Sequence, residues 1–295
     1  MMITTPNFFI VGAPKCGTTA WAEYLGTHRD ICFPKSKEPH YFNIDFPNFR
    51  WAKTLDEYLD YFTDCQGFKV VCDASVQYLY SKVAARRIAD FAPNARVLIM
   101  LREPESFIRS YHNQLLLNFD EIETDLRTAW QMSGKRPPEK VPSTCREPQF
   151  LNYKRVGMFS EQVSRFLSCF PAVHIKVVFM EDWIDEPRRL YVELMDFLTL
   201  LDDGRTEFPV VHSAKHVSNR TFHRISQRPP TVLKKLMPWV RRIPGLVNFR
   251  PSHMIRQLNL RSGYNEKVDY DLMSEIQAYF SDDQVRLSKL LEQLK

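Results

Sequence analysis

Residues 7–19 combine an apolar run of strand length with a lysine, a glycine and two threonines at a spacing that suits phosphate binding. Gly17 can adopt backbone conformations that are closed to other residues, and Thr18 and Thr19 can cap a following helix. The unpaired N–H groups of that helix attract an anion, and Lys15 adds a positive charge there. We therefore predict a phosphate-binding turn. The alternative is a tight strand–helix connection with a solvated lysine.

The order of the lysine and the glycine bears on the ligand. In the usual nucleotide-triphosphate loop the lysine follows the last glycine, whereas here Lys15 precedes Gly17. A lysine in this position should meet the 5′ group of a nucleotide from another angle. ATP is therefore not the default ligand.

A second phosphate-binding site is predicted at Arg102. This residue directly follows the strongest strand candidate, residues 96–101, and Pro104 then begins a helix. Ser110 lies two turns along that helix, on the side that shares a cleft with Arg102. An arginine fork and a hydroxyl suit a phosphate group. An arginine that only makes a salt bridge at the end of a strand is the alternative.

Two further groups of polar residues are candidates for chemistry at the same cleft. Glu38 and His40 stand two residues apart in an extended, proline-containing segment, so both can face one side as proton acceptors. A solvated loop is the alternative there. Asp73, Ser75 and Tyr78 follow a strand at residues 68–72, where ligands bind in open parallel sheets. Their alternative role is to form the entry to a helix that Ser81 caps.

The periodicity of apolar residues predicts an α/β fold, with a central parallel sheet flanked by helices. Residues 132–150 read as a long loop, either a lid, an acceptor contact or a disordered excursion. Glu181 and Asp182 read as helix caps rather than catalysts. The predicted strands cover residues 8–11, 31–33, 68–72, 96–101 and 174–179, and the predicted helices begin near Thr18 and cover 54–64, 81–91, 120–131, 157–169, 187–200 and 273–294.

Together the motifs resemble the sulfotransferase family over about the first two-thirds of the chain. Pro14 to Thr19 is similar to the family's 5′-phosphosulfate loop, and Arg102 with Ser110 looks like its 3′-phosphate site. Lys37 to Phe42 resembles the segment of the heparan-type, carbohydrate-sulfating branch that carries the catalytic glutamate and a neighbouring histidine. Ala74 and Val76 depart from that branch, which has a lysine and usually a proline at these positions. This departure bears on the class of acceptor and not on the donor.

The resemblance implies a P-loop-like sulfotransferase fold and a reaction. The implied donor is 3′-phosphoadenosine 5′-phosphosulfate (PAPS), with adenosine 3′,5′-bisphosphate (PAP) as product, direct in-line transfer to a hydroxyl of a saccharide or glycolipid, and no metal. The implied catalytic residues are Lys15, Glu38 and His40. The implied donor-binding residues are Lys15, Cys16, Gly17, Thr18, Thr19, Arg102 and Ser110, with Lys215 and Arg220 added on charge alone, and the candidate acceptor contacts are Lys37, Asp73, Ser75 and Tyr78.

Composition sets the broad class of protein. A chain of 295 residues with 44% hydrophobic residues can form a large core, and we expect one domain over residues 1–295. No apolar run reaches the roughly 18 residues of a spanning helix, and no signal segment is seen at the N-terminus. The six cysteines form no C-x-x-C pair and no cluster with histidine, so we expect free thiols and a cytoplasmic location.

Charge is concentrated in the C-terminal third. Residues 208–265 contain 11 lysines and arginines and no acidic residue, and residues 224–261 interleave them with apolar and aromatic side chains. This pattern suits peripheral contact with an anionic membrane or a charged glycan. A basic, largely helical elaboration packed on the core is the alternative, and no motif of a nucleic-acid reader is present.

Two other classes of function stay open at this point. A kinase-like phosphotransferase would use ATP and a divalent metal, for which only Asp73 could serve as the acidic ligand. A nucleotide-binding or glycan-binding module without catalysis would not need Glu38.

Overall fold

A computed structural model describes residues 4–34, 38–209, 215–217, 260–262 and 269–294. Its centre is a five-stranded, wholly parallel sheet with the order β2-β3-β1-β4-β5. The strands are β1 (Phe8–Gly12), β2 (Ile31–Cys32), β3 (Val70–Asp73), β4 (Arg96–Leu101) and β5 (Ile175–Phe179). The predicted α/β class is therefore confirmed.

The middle of the sheet is apolar on both faces. Every residue of β1 is buried, and so is every residue of β4 except the first, Arg96. A strand that is covered by helices on both sides reads as a continuous apolar run rather than an alternating one. This explains why the two strands stand out so clearly in the sequence.

Helices connect and cover these strands. Most of them fall where apolar spacing predicts them, and the boundaries differ by a few residues. The described helices are α1 (Thr18–Leu25), α2 (Leu55–Asp60), α3 (Ala84–Phe91), α4 (Pro104–Asn118), α5 (Leu126–Met132), α6 (Tyr153–Val156), α7 (Phe159–Leu167), α8 (Pro187–Leu198) and α9 (Tyr270–Glu292).

The predicted helix over 120–131 begins later than expected, at Leu126 in α5, because the residues before it have another role. Asp120 and Glu121 are buried and accept hydrogen bonds from the guanidinium groups of Arg146 and Arg136. Both arginines belong to the 132–150 loop, so two buried ion pairs fasten that loop to the end of α4. The disordered alternative for this loop is therefore wrong.

The prediction of six free cysteines is also wrong. Cys32 and Cys65 form a disulfide with a Cα–Cα distance of 5.5 Å, whereas Cys16, Cys72, Cys145 and Cys169 are free. The two bonded residues lie 33 positions apart, at the end of β2 and in the turn before β3. The sequence gives no spacing signal for this pair, because it depends on how two neighbouring strands are joined.

Little of the basic segment 208–265 lies within the described residues. The ladder of β6 (Lys215–Val217) and β7 (Leu260–Ser262) is antiparallel, and β6 lies near α4. The predicted helical elaboration and the membrane-contact segment 224–261 otherwise fall outside the described ranges. The C-terminal helix α9 packs on α7 and α4. In the part of the chain that the structure describes, no helix has both the length and the apolar character needed to cross a bilayer.

Candidate functional site

The loop between β1 and α1 has the form predicted for an anion site. Gly17 is the N-cap residue and adopts the left-handed conformation at φ 83°, and no side chain caps the helix. Thr18 and Thr19 are the first two residues of the helix, so the expectation that their side chains cap it is wrong. The positive end of the helix dipole therefore faces the loop at a glycine N-cap that has no side chain.

Gly17 also lies against an aromatic ring that the sequence did not single out. A Cβ atom at this position would lie 2.4 Å from Cζ2 of Trp183, which is closer than real contacts allow. Trp183 is buried and packs edge-to-face on Trp21 in α1. Its indole N–H is buried without a hydrogen-bond partner among the described residues. The ring of Trp183 therefore leaves no room for a side chain at position 17 of the loop.

Lys15 stands in the same loop in a left-handed conformation, at φ 66°. Its Nζ atom donates a hydrogen bond of 3.3 Å to Oε1 of Gln114 in α4. Burial, and then the nearby positive charge of Arg102, lower the pKa of Lys15 below its usual value. Two cations are therefore held close enough to repel each other, and an anion between them would relieve that repulsion.

Arg102 lies at the carboxyl end of β4, as predicted. Its Nε is 3.7 Å from a carboxylate oxygen of Glu181, and that Nε is buried with no hydrogen-bond partner in the described part of the chain. Glu181 also accepts long hydrogen bonds of 3.4 Å from the backbone N–H of Glu103. The prediction that Glu181 caps the helix after it is wrong, because its carboxylate faces the start of α4 instead.

Ser110 and Gln114 are one turn apart on α4 and so share a face of that helix. Because Gln114 contacts Lys15, this face points toward the 13–19 loop. Ser110 is half-buried, on the same side as the lysine. Gln114 is a site residue that sequence reasoning missed, although its four-residue spacing from Ser110 was a readable signal.

Cys16 is a buried residue of the loop between β1 and α1. Its side chain is fully buried, and burial raises the pKa of the thiol well above the usual range. The thiol contacts the carbonyl oxygen of Pro14 at 3.6 Å. A neutral, enclosed thiol is a poor nucleophile.

Glu38 and His40 do form a pair. His40 Nε2 lies 3.1 Å from Oε2 of Glu38, and the imidazole is 1% exposed whereas the carboxylate is 32% exposed. His40 Nδ1 is buried with no partner in the described ranges, so the contacts assign the proton to Nε2, which donates to Glu38. His40 therefore orients the carboxylate, and Glu38 is the member of the pair that a substrate can reach.

Asp73, Ser75 and Tyr78 lie at the predicted edge of the sheet, but all three are completely buried. Asp73 accepts hydrogen bonds from both Ser75 and Tyr78. Ser81 accepts from the backbone N–H of Ala84 at the start of α3, as its predicted role requires. The three residues therefore face the protein interior in this structure.

The turn after β3 brings the Glu38 segment to the carboxyl edge of β1. The backbone N–H of Leu79 donates to Val11 at 2.8 Å, and the Val76 carbonyl oxygen would be 2.3 Å from a Cβ at Gly12. On its other side the same turn bonds to the backbone of His40. The 13–19 loop and the Glu38–His40 pair are thus both attached to one edge of the sheet.

Three predicted site residues belong to segments that the structure describes little or not at all. Lys37 and Arg220 lie outside the described residues. Lys215 begins β6, whose backbone lies near α4. Among the described residues no group of three or more acidic, histidine or cysteine side chains is arranged to hold a metal ion.

The fold and this site define an α/β protein with a candidate anion-binding loop at the carboxyl edge of a parallel sheet. Comparison with known proteins is consistent with that class. A sequence model described as the sulfotransferase domain matches residues 5–231. The chain belongs to the sulfotransferase family.

Individual relatives are similar at a lower level. Human heparan sulfate glucosamine 3-O-sulfotransferase 6 is 25% identical over 196 residues, which are 66% of this chain and 52% of that protein. The membrane-associated sulfotransferase kil1 of Dictyostelium discoideum is 32% identical over 114 residues, 38% of this chain and 23% of that protein. This chain therefore spans about half or less of the length of these curated relatives.

A solved structure of a sulfotransferase from Alicyclobacillus acidocaldarius superposes on this chain with a TM-score of 0.62 at 28% identity. The superposition covers 83% of this chain and 97% of that one. The fold is thus shared with nearly the whole of that sulfotransferase chain.

Proposed function

We propose that this protein is an O-sulfotransferase that uses PAPS as donor and a hydroxyl of a saccharide or glycolipid as acceptor. The observation that carries the proposal is the Lys15 loop at the N-terminus of α1, with Arg102 directly after β4, the strand that pairs with β1. Family membership supports sulfuryl transfer in general. The heparan sulfate sulfotransferase among the relatives supports a saccharide acceptor.

The residues present fit a donor that carries two separate phosphate groups. Arg102 has a buried Nε that lacks a hydrogen-bond partner in the described part of the chain, which is a donor suited to a 3′-phosphate. The backbone of Gly17, Thr18 and Thr19 at the start of α1 suits the 5′-phosphate. When bound, PAPS supplies the sulfuryl group and leaves as PAP.

Each side chain then has a stated part in the reaction. Glu38 accepts the proton of the acceptor hydroxyl, and His40 holds the carboxylate in place through its Nε2–H. Lys15 provides positive charge where negative charge develops on the leaving phosphate. Because burial raises the pKa of the Cys16 thiol, the loop offers no reactive cysteine, and this favours direct transfer over a covalent enzyme intermediate.

The structure gives less support to the kinase-like alternative. Asp73 was its single candidate metal ligand, and Asp73 is completely buried and already accepts hydrogen bonds from three side chains. The cytoplasmic location and the membrane contact of residues 224–261 stay predictions from the sequence.

The test is transfer of sulfur-35 from labelled PAPS to a panel of acceptors: heparosan, N-sulfated heparan, chondroitin, a galactolipid and a simple phenol. We expect label in at least one saccharide or glycolipid, and none with Glu38→Gln. Glu139→Gln is the control, because Glu139 is exposed in the 132–150 loop. Wild-type rates in Glu38→Gln would remove the assignment of the base. Binding of PAP without transfer to any acceptor would favour a non-catalytic binding protein.

A further inference from the structure

Asp73 is the centre of a buried group of hydrogen bonds that the reaction described above does not use. Its carboxylate accepts from the hydroxyls of Tyr58 at 2.9 Å and Tyr78 at 3.0 Å, both on Oδ2. The other oxygen accepts from the backbone N–H of Ser75 at 3.0 Å and from its hydroxyl at 2.6 Å. We call these four residues the Asp73 cluster.

Two members of the Asp73 cluster extend it to the segment that carries the candidate base. The Ser75 hydroxyl oxygen accepts from the backbone N–H of His40 at 3.0 Å. The Tyr78 hydroxyl oxygen accepts from the backbone N–H of Tyr41 at 2.9 Å. The same hydroxyl oxygen also accepts from the backbone N–H of Phe42, at 3.4 Å. Among the described residues the Tyr58 hydroxyl makes no hydrogen bond to this backbone, and the Tyr58 ring stacks on that of Tyr41 and packs edge-on against that of Phe42. Three successive N–H groups are therefore linked to Asp73 through the hydroxyls of Ser75 and Tyr78.

The backbone at this point needs such support. His40 adopts the left-handed conformation, at φ 49°, which is unfavourable for any residue with a Cβ atom. Strained positions of this kind persist where the surrounding structure determines them, and they cluster at functional sites. The imidazole of His40 in turn bonds to the carboxylate of Glu38.

We propose that Asp73 is a positioning residue for the base: through Ser75 and Tyr78 it fixes the backbone of His40 and Tyr41, and so it sets the orientation of Glu38. The inference rests on the proposed function, because it concerns the base of that reaction. It replaces the expectation that Asp73, Ser75 and Tyr78 contact the acceptor, since all three side chains are buried.

The charge of Asp73 explains why a carboxylate suits this position. An ionised carboxylate can only accept hydrogen bonds, so the hydroxyls of Ser75 and Tyr78 must both donate to Asp73. Each hydroxyl oxygen then presents its lone pairs to a backbone N–H of the 40–41 segment. In Asp73→Asn the side-chain NH₂ group would donate a hydrogen bond on one side. The hydroxyl of Ser75 or Tyr78 on that side could then accept from Asn instead of donating to it. The polarity of the whole chain of bonds therefore begins at Asp73.

The two tyrosines provide a matched pair of variants. Tyr78→Phe and Tyr58→Phe each delete one buried hydroxyl that donates to the same oxygen of Asp73. Only Tyr78→Phe also removes the acceptor of the Tyr41 and Phe42 N–H groups. The difference between the two variants thus isolates the link from Asp73 to the base segment and cancels the loss of a buried hydroxyl.

The first readout does not need turnover. Hydrogen exchange of peptides covering residues 38–42 is measured by mass spectrometry in the full-length protein and in both variants. We expect exchange about tenfold faster in Tyr78→Phe than in wild type, because the acceptor of the Tyr41 and Phe42 N–H groups is lost, and little change in Tyr58→Phe. Equal exchange in the two variants would overturn the proposal, whether or not the protein proves to be a sulfotransferase.

The second readout is the split between binding and turnover with the best acceptor of the panel. We expect kcat to fall about tenfold or more in Tyr78→Phe, Ser75→Ala and Asp73→Asn, while the Kd for PAP stays within about twofold of wild type. Tyr58→Phe should keep kcat near that of wild type. If kcat falls equally in Tyr58→Phe and Tyr78→Phe, the Asp73 cluster is structural only. Absence of transfer by the wild-type protein would refute the proposed function, and the exchange measurement would still decide the positioning of the segment.

Discussion

The close approach of Trp183 to Gly17 predicts how substitutions in the loop between β1 and α1 change the free energy of unfolding. In Gly17→Ala the new Cβ atom would lie 2.4 Å from Cζ2 and 2.8 Å from Cη2 of the indole. The same substitution places a side chain on a backbone with φ 83°. Both effects destabilise the folded protein, and they can be separated.

The two contributions have known sizes. A residue with a Cβ atom in the left-handed conformation costs about 1–2 kcal/mol relative to glycine. Overpacking against a buried ring costs about 1–3 kcal/mol. Gly17→Ala should therefore lower the free energy of unfolding by about 2–5 kcal/mol, which a domain with a stability of about 5–15 kcal/mol can survive. Trp183→Phe deletes both clashing atoms, so in that background only the backbone cost of about 1–2 kcal/mol should remain.

The assay is a double-mutant cycle of wild type, the two single variants and the double variant, followed by urea unfolding. The expected coupling is about 1–3 kcal/mol in favour of the double variant. Calorimetric titration with PAP should show weaker binding in Gly17→Ala and partial recovery in the double variant, because the loop returns toward its shape. Free energies that add within about 0.5 kcal/mol would refute the reasoning, since the ring would then not limit the loop.

Three further predictions concern ionised groups and the disulfide. Burial raises the pKa of Asp73 from 3.8 to about 6, so this carboxyl group contributes about 3 kcal/mol of stability below pH 4 that is lost as the pH rises through 6; urea unfolding of Asp73→Asn should lack this change. Because the pKa of Lys15 is lowered, the affinity for PAP should begin to fall at a lower pH than it would with an ordinary lysine. Calorimetry over a range of pH measures this fall, and Lys15→Met should not show it. The Cys32–Cys65 bond closes a loop across a separation of 33 residues, so a reducing agent should lower the free energy of unfolding of wild type by about 3–4 kcal/mol. Reduction should leave Cys32→Ser unchanged, and equal unfolding of wild type with and without reducing agent would contradict the assignment.

The sequence predicted those parts of the fold that depend on short-range patterns. The buried strands β1 and β4 are apolar throughout, and the glycine and lysine of the 13–19 loop have the composition that an anion site needs. The position of Arg102 could be predicted because this residue directly follows an apolar strand that ends at Leu101. Such features follow from a few successive residues, so a single sequence contains them.

Other features depend on contacts across the chain. Trp183 packs on Gly17 from 166 positions away, and Asp120 and Glu121 are buried by arginines of a loop rather than belonging to a helix. Asp73 was correctly placed at the edge of the sheet, but its burial depends on Tyr58, which comes from a separate helix. No local pattern shows such partners, and this is why the sequence predicted an acceptor contact for Asp73 that its burial does not support.

The most direct test of the central claim is calorimetric titration of wild type and Arg102→Ala with PAP and, separately, with ATP and magnesium. We predict micromolar binding of PAP by wild type. In Arg102→Ala this binding should weaken about 10- to 100-fold, which corresponds to the loss of a charge-assisted hydrogen bond worth about 1.5–3 kcal/mol. Adenosine 5′-phosphosulfate, which lacks the 3′-phosphate, should bind both proteins equally. Tight ATP binding that is indifferent to the 3′-phosphate and to Arg102 would contradict the account.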